Sequence, residues 1–160
     1  MRTIEAVELF AVLKDLKLSG LNTTDRLKII KNLRALREVA DKYNNDMELA
    51  KERLKPDGYD NLVMKMLESN EAVAAGGNRT VSDLEIASFN RMHEGFNRGL
   101  NAIQTGVFNK DKDCFEGGMN DEPVEVTLET LTESAFDKLL DANKDVPGGA
   151  LAVLYDKIVK

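Results

Sequence analysis

Cysteine and histidine each occur once in this chain. With Cys114 alone an intramolecular disulfide is excluded, and a single thiol fits a reducing cytoplasm. With His93 alone, zinc binding and histidine acid–base chemistry lack the second nitrogen or sulfur ligand, or the adjacent nucleophile, that they ordinarily use. No apolar run approaches the roughly 18 residues that a membrane-spanning helix needs, so no membrane partner is expected. The opening Met-Arg-Thr-Ile-Glu-Ala-Val-Glu puts glutamates where a signal peptide requires an unbroken apolar stretch. Internal repeats and low-complexity tracts are missing too. The glycine pairs Gly76-Gly77, Gly117-Gly118 and Gly148-Gly149 belong to no phosphate-cradling motif and read as turns.

What is there describes a folded chain. The 160 residues are 42% hydrophobic and 31% charged, enough for one domain, or one domain with an appendage, around a sizeable core. The net charge of −6 is unevenly spread. Residues 1–55 hold twelve Lys/Arg against nine Asp/Glu, whereas residues 105–145 hold four against eleven. Such asymmetry marks a head-to-tail contact or a repellent acidic surface, and it argues against a general nucleic-acid binder.

Helical periodicity dominates. Leu27, Ile30, Leu33, Leu36, Ala40, Tyr43, Met47, Ala50 and Leu54 recur in steps of three and four. They predict a helix over residues 22–54, about 46 Å long at the usual rise. Before it, residues 3–18 form a helix whose apolar side chains cover most of its circumference, so either the rest of the chain or a second subunit must surround it. Ser19-Gly20 ends that helix, and Asn22 or Thr23 caps the next. Pro56-Asp57-Gly58 stops the long helix, and residues 59–75 form a third. The stretch 72–80 weakens into a joint. Ser82-Asp83-Leu84-Glu85 is a capping box that opens a helix to about residue 104. Gly95 and Gly99 in that helix each cost about 1 kcal/mol relative to alanine and would admit a close neighbour. Pro123-Val-Glu-Val-Thr-Leu128 alternates as a half-buried strand, with residues 106–108 and 114–115 as local pairing candidates and a second subunit as the remote one. Two short helices follow, broken by Pro147-Gly148-Gly149.

The expected fold is therefore mainly α, or α+β by strict count. It consists of an antiparallel helical hairpin with a long second helix, plus a small C-terminal unit of one or two strands and two short helices. The expected division is a hairpin with its third helix over 1–75, then a helix and α+β unit over 81–160. A single domain over 1–160 is the other arrangement.

Candidate chemistry is sparse. Asn109, Asp111 and Asp113 imitate the first three ligands of a calcium loop, but Cys114 stands where its glycine belongs and Asn120 where its bidentate glutamate belongs. A Cys114–His93 nucleophile pair would have to form in acidic surroundings, which raise a thiol's pKa. Lys28, Lys31 and Arg34 form a basic ridge, with Arg37 at its edge, on the face away from the apolar stripe. Arg34–Glu38, Glu38–Lys42 and Arg37–Asp41 are spaced to support the helix.

Three segments carry a resemblance: Leu27-Lys-Ile-Ile-Lys-Asn-Leu-Arg-Ala-Leu36, Phe89-Asn-Arg-Met-His-Glu-Gly-Phe96 and Val124-Glu-Val-Thr-Leu128 with its following helix. In them the chain resembles a family of small uncharacterised proteins encoded in phages and prophages of gut and lactic bacteria. It departs from that family by an added helix between Pro56 and Thr80. The resemblance implies a virion-assembly or structural accessory, cytoplasmic or virion-associated, and carries over no catalytic residue. The function expected is thus a non-enzymatic interaction protein without metal or cofactor, bound to a protein partner or to a second copy. Val7, Leu9, Leu13 and Leu16 of the first helix are the expected interface. The alternative is a nucleic-acid-associated accessory that uses Lys28, Lys31 and Arg34.

Overall fold

The computed structural model describes residues 1–160. Six helices follow in order: α1 Thr3–Asp15, α2 Thr23–Leu54, α3 Tyr59–Ala74, α4 Asp83–Thr105, α5 Glu133–Ala142 and α6 Gly148–Ile158. Between α4 and α5 lie two short strands, β1 Gly106–Asn109 and β2 Cys114–Gly117, and a 3-10 turn, Met119–Asp121. The chain is mainly α with one small antiparallel sheet.

Local chemistry accounts for the boundaries. The Asn22 side chain accepts the Asp25 backbone N–H at 2.9 Å and donates to the Asp25 carboxylate at 2.8 Å, closing the start of α2. Ser82 accepts the Glu85 N–H while Glu85 accepts the Ser82 N–H, so the capping box forms in full at α4. Thr132 caps α5. The first helix stops three residues earlier than its apolar pattern predicts, because Asn143 captures the backbone of Lys17. Its Oδ1 accepts the Lys17 N–H at 2.8 Å, and its Nδ2 donates to the Lys17 carbonyl at 2.9 Å.

The contacts divide the chain into two compact units, Met1–Asn45 with Met119–Lys160, and Asp46–Gly118. The expected division near residues 75–81 is not where they part. That segment is a turn inside the second unit, held by Gly77 N–H on the Ala72 carbonyl and Thr80 N–H on Ser69 Oγ. Helix α2 contributes to both units.

The first unit holds the hydrophobic core. Ala6, Leu9 and Leu13 of α1 meet Ile29 and Leu36 of α2, Ala135, Phe136 and Leu139 of α5, and Leu154 and Ile158 of α6. The closest backbone neighbours of α1 are the 3-10 turn and α6. The chain ends are stitched in by backbone bonds. Thr3 N–H donates to the Glu122 carbonyl, Val124 N–H to the Met1 carbonyl, Leu131 N–H to the Ile158 carbonyl and Lys160 N–H to the Leu131 carbonyl.

Residues 124–128 are a correction to the expected strand. They form no strand, although Val124, Val126 and Leu128 are half-buried between exposed Glu125 and Thr127, and the only bridge adjoining them is an isolated antiparallel one between Pro123 and Arg2. Their anchors lie at the two ends instead: Met1 at Val124, and the side chain of buried Asn32 at Glu129. Asn32 donates to the Glu129 carbonyl at 2.9 Å and accepts the Glu129 N–H at 2.7 Å, as a neighbouring strand would. The two segments named as pairing candidates pair with each other, Phe108 opposite Phe115 and Val107 opposite Glu116.

The second unit is built from the end of α2, the α3–α4 pair and the β1–β2 hairpin. Leu54 lies against Gly99, where an alanine Cβ would stand 3.1 Å from Leu54 Cδ1. Gly95 has open space around it. Gly106, at φ 83°, backs directly onto the Glu116 carbonyl and leaves no room for a side chain.

Candidate interaction surfaces

The interface expected on α1 is not exposed. Leu9, Leu13 and Leu16 are 0%, 1% and 9% accessible within their own chain, and Val7 is half-buried. The all-round apolar character of α1 is satisfied intramolecularly.

The stripe on α2 is also displaced. Leu27 and Ile30 point outward, each 52% exposed, and the buried line runs through Asp25, Ile29, Asn32, Leu36, Ala40, Tyr43 and Met47. The basic ridge is partly neutralised. Lys28 Nζ lies 3.2 Å from Asp25 Oδ1, and Lys31 Nζ 2.9 Å from Glu129 Oε1. The Lys31 hydrogen bond, with the charge of Lys31 and then Lys28, holds the Glu129 carboxyl below its ordinary pKa. The ion pairs of this unit leave out Arg34 and Arg37, and the three helical pairs expected with Glu38, Lys42 and Asp41 are not closed.

In the second unit His93 joins an aromatic group with Tyr59, Phe89 and Phe96. Its ring stacks on Phe89 at 5.3 Å, its Nδ1 lies 2.7 Å from Tyr59 Oη, and its Nε2 lies 3.0 Å from Asn97 Nδ2. Both ring nitrogens are thereby engaged, and Cys114 is not among the partners. Cys114 is exposed opposite Asn109. The loop that imitates a calcium site spends its first oxygen on itself, since Asn109 Oδ1 accepts the N–H groups of Asp111 and Lys112. Lys112 and then Asn109 bond Glu116 and lower its pKa.

At the start of α4, Lys65 and the Ser82 N–H both bond Glu85, lowering its pKa to about 2. This carboxylate is committed to helix capping.

Two clefts lie in the first unit. One, of about 400 Å³, lies between α1 and the α5–α6 connection and is lined in part by Val12, Val146, Pro147 and Asn143. Asn143 spends its side chain on Lys17 and Leu139. A second cleft of about 380 Å³ holds Glu5, Lys157 and Asp156. There the Arg2 backbone N–H, followed by Lys157, lowers the Glu5 pKa against the opposing effect of desolvation. Neither cleft sets a nucleophile beside a base.

The largest anomaly is one of burial. Of the seventeen buried hydrophobic residues, only Met47 and Val81 belong to Asp46–Gly118. Of the eleven large hydrophobic residues left exposed, that same unit carries eight: Leu49, Met64, Leu67, Val73, Leu84, Val107, Phe108 and Phe115. Helix α4 buries none of its residues fully. On the hairpin, Phe108 and Phe115 meet edge-on at 5.2 Å and are 44% and 53% exposed. From the sequence Phe108 and Phe115 read only as strand-pairing candidates, although the exposure of a two-stranded sheet was foreseeable from its lack of a covering element.

No family model, no curated protein and no solved structure matches this chain.

Proposed function

We propose that this protein is a non-enzymatic interaction protein, an accessory or structural subunit of an assembly like those of the phage-encoded family it resembles. It self-associates through the apolar surface of its second unit. The observation that carries this reading is the burial imbalance: a unit with two buried hydrophobic residues and eight large exposed ones has its apolar surface facing outward. Scattered exposed leucines are ordinary on any protein, but this concentration in one unit is not. Phe108 and Phe115 are the natural anchors, because aromatic side chains are enriched at interface centres. A specific interface of standard size buries roughly 600–1,000 Å² on each partner.

Light scattering at rising protein concentration in high salt tests the reading. The mass should rise above that of one chain, and Phe108→Ser with Phe115→Ser should return it to the monomer. A wild type that stays monomeric at every concentration and salt removes it.

The alternative, a nucleic-acid accessory, has less support. Lys28 and Lys31 are already held by carboxylates, which leaves Arg34 and neighbouring Arg37 as the unpaired cations.

A further inference from the structure

Residues 124–128 of the first unit lack a neighbour, and that is what keeps them from being a strand. Both flanks are bridge positions, Pro123 antiparallel to Arg2 and Leu131 parallel to Val159. No turn or bend falls between them. Val124, Val126 and Leu128 pack on the core while Glu125 and Thr127 are exposed, the period of two that a strand shows.

In such a segment successive residues aim their backbone N–H and C=O at opposite edges. Val124 aims both at Met1: its N–H donates to the Met1 carbonyl at 2.9 Å, and its carbonyl accepts the Met1 amino group at 3.0 Å. Glu129 gives both of its groups to Asn32. An odd number of steps separates Val124 from Glu129, so the two anchors hold opposite edges. On the Met1 edge the pairing stops at Val124. Beyond it the N–H and C=O of Val126 and of Leu128 meet no group of the chain. A row of unpaired backbone groups is a template for another strand. The free charge beside it is negative. Glu122 and Glu125 are exposed and enter no ion pair, while the cations at the two ends are committed, Arg2 to Asp121 and Glu5, and Lys31 to Glu129.

We infer that the edge at Val126 and Leu128 is a docking site for an extended, basic segment of a protein partner, added antiparallel as a further strand. Main-chain bonds to Val126 and Leu128 supply the attachment, as in other strand-addition complexes. Apolar partner residues opposite them lie on the core side, and lysine or arginine on the outward side meets Glu125. A second copy's own segment fits less well, since residues 122–130 hold three glutamates and no cation. The site does not rest on self-association of the second unit.

Hydrogen exchange and a peptide titration on the full chain test it. At low protein concentration the amides of Val124 and Glu129 should be protected and those of Val126 and Leu128 should exchange freely. The probe is a short labelled peptide of alternating lysine and valine, blocked at both ends and followed by fluorescence anisotropy at physiological salt. It should bind saturably and protect the amides of Val126 and Leu128. Its valines lie opposite those residues, so N-methylation of the valines should weaken binding by roughly tenfold or more, and N-methylation of the lysines should not. Glu125→Lys, at an exposed position, should weaken binding severalfold with unchanged circular dichroism. The Phe108→Ser, Phe115→Ser protein should bind as the wild type does. The inference is overturned if Val126 or Leu128 is protected in the free chain, if the peptide does not bind, or if both methylated peptides bind alike. It is overturned equally if Glu125→Lys changes nothing, or if the phenylalanine variant loses the peptide. Protection of Val126 and Leu128 that grows with protein concentration alone would give the edge to a second copy instead.

Discussion

At the scale of single residues, two buried asparagines do work that backbone ladders usually do. Asn32 binds both backbone groups of Glu129, and Asn143 binds both backbone groups of Lys17. Each pins an irregular segment onto the core of the first unit, where an unsatisfied amide would be costly. Asn32→Leu should therefore destabilise the protein, by about 1–3 kcal/mol for the backbone groups of Glu129 left without partners. A urea titration followed by circular dichroism would show it as a lowered midpoint. A midpoint equal to that of the wild type would mean that water replaces the side chain without cost. Neither asparagine was legible as structural in the sequence. Asn32 sits between Lys31 and Leu33 in a charged helix, and its polar identity reads as solvent-facing until Glu129, 97 positions away, arrives against it.

At the scale of elements, most helices were legible. The capping box at Ser82, the proline stop at Pro56 and the apolar spacing of α5 all act within one or two turns of chain. The stripe on α2 was legible only in part, for a geometric reason. Three successive steps of three, from Leu27 to Leu36, turn the pattern back by about 180° at 100° per residue, so Leu27 and Leu36 lie on opposite sides of the helix. Leu36 is buried and Leu27 is exposed. The strand expected at 124–128 failed differently. Its alternation is real, but alternation describes which side chains face the core and not which backbone lies alongside. Glycine in α4 separates into two roles. Gly99 meets Leu54, while Gly95 meets nothing. Gly95→Ala should stabilise the protein by up to about 1 kcal/mol through helix propensity alone. Gly99→Ala should gain clearly less, because its Cβ would crowd Leu54. Thermal melts of the two variants would rank them, and an equal gain would show that Leu54 yields freely.

At the scale of the whole molecule, core and exposed apolar surface are divided between two units of one chain. Local opening is governed by how much apolar contact a segment must give up, so the unit poor in buried side chains should open first. Native-state hydrogen exchange at low concentration should find the amides of α3 and α4 exchanging faster than those of α1 and α5. Comparable protection in both units would contradict the burial imbalance. Raising the concentration should slow exchange in the second unit if its surface is covered by another copy. By itself, the sequence determined what depends on neighbours a few residues apart: a mainly helical chain, the caps, the stops at proline and glycine, and the opposed charge of its two ends. Tertiary structure alone decided which faces meet water. Burial is a property of what packs against a residue, and here the partners come from distant parts of the chain. The return of residues 119–160 to Met1–Asn45 enclosed α1, and the absence of any comparable cover left the apolar side chains of Asp46–Gly118 outside.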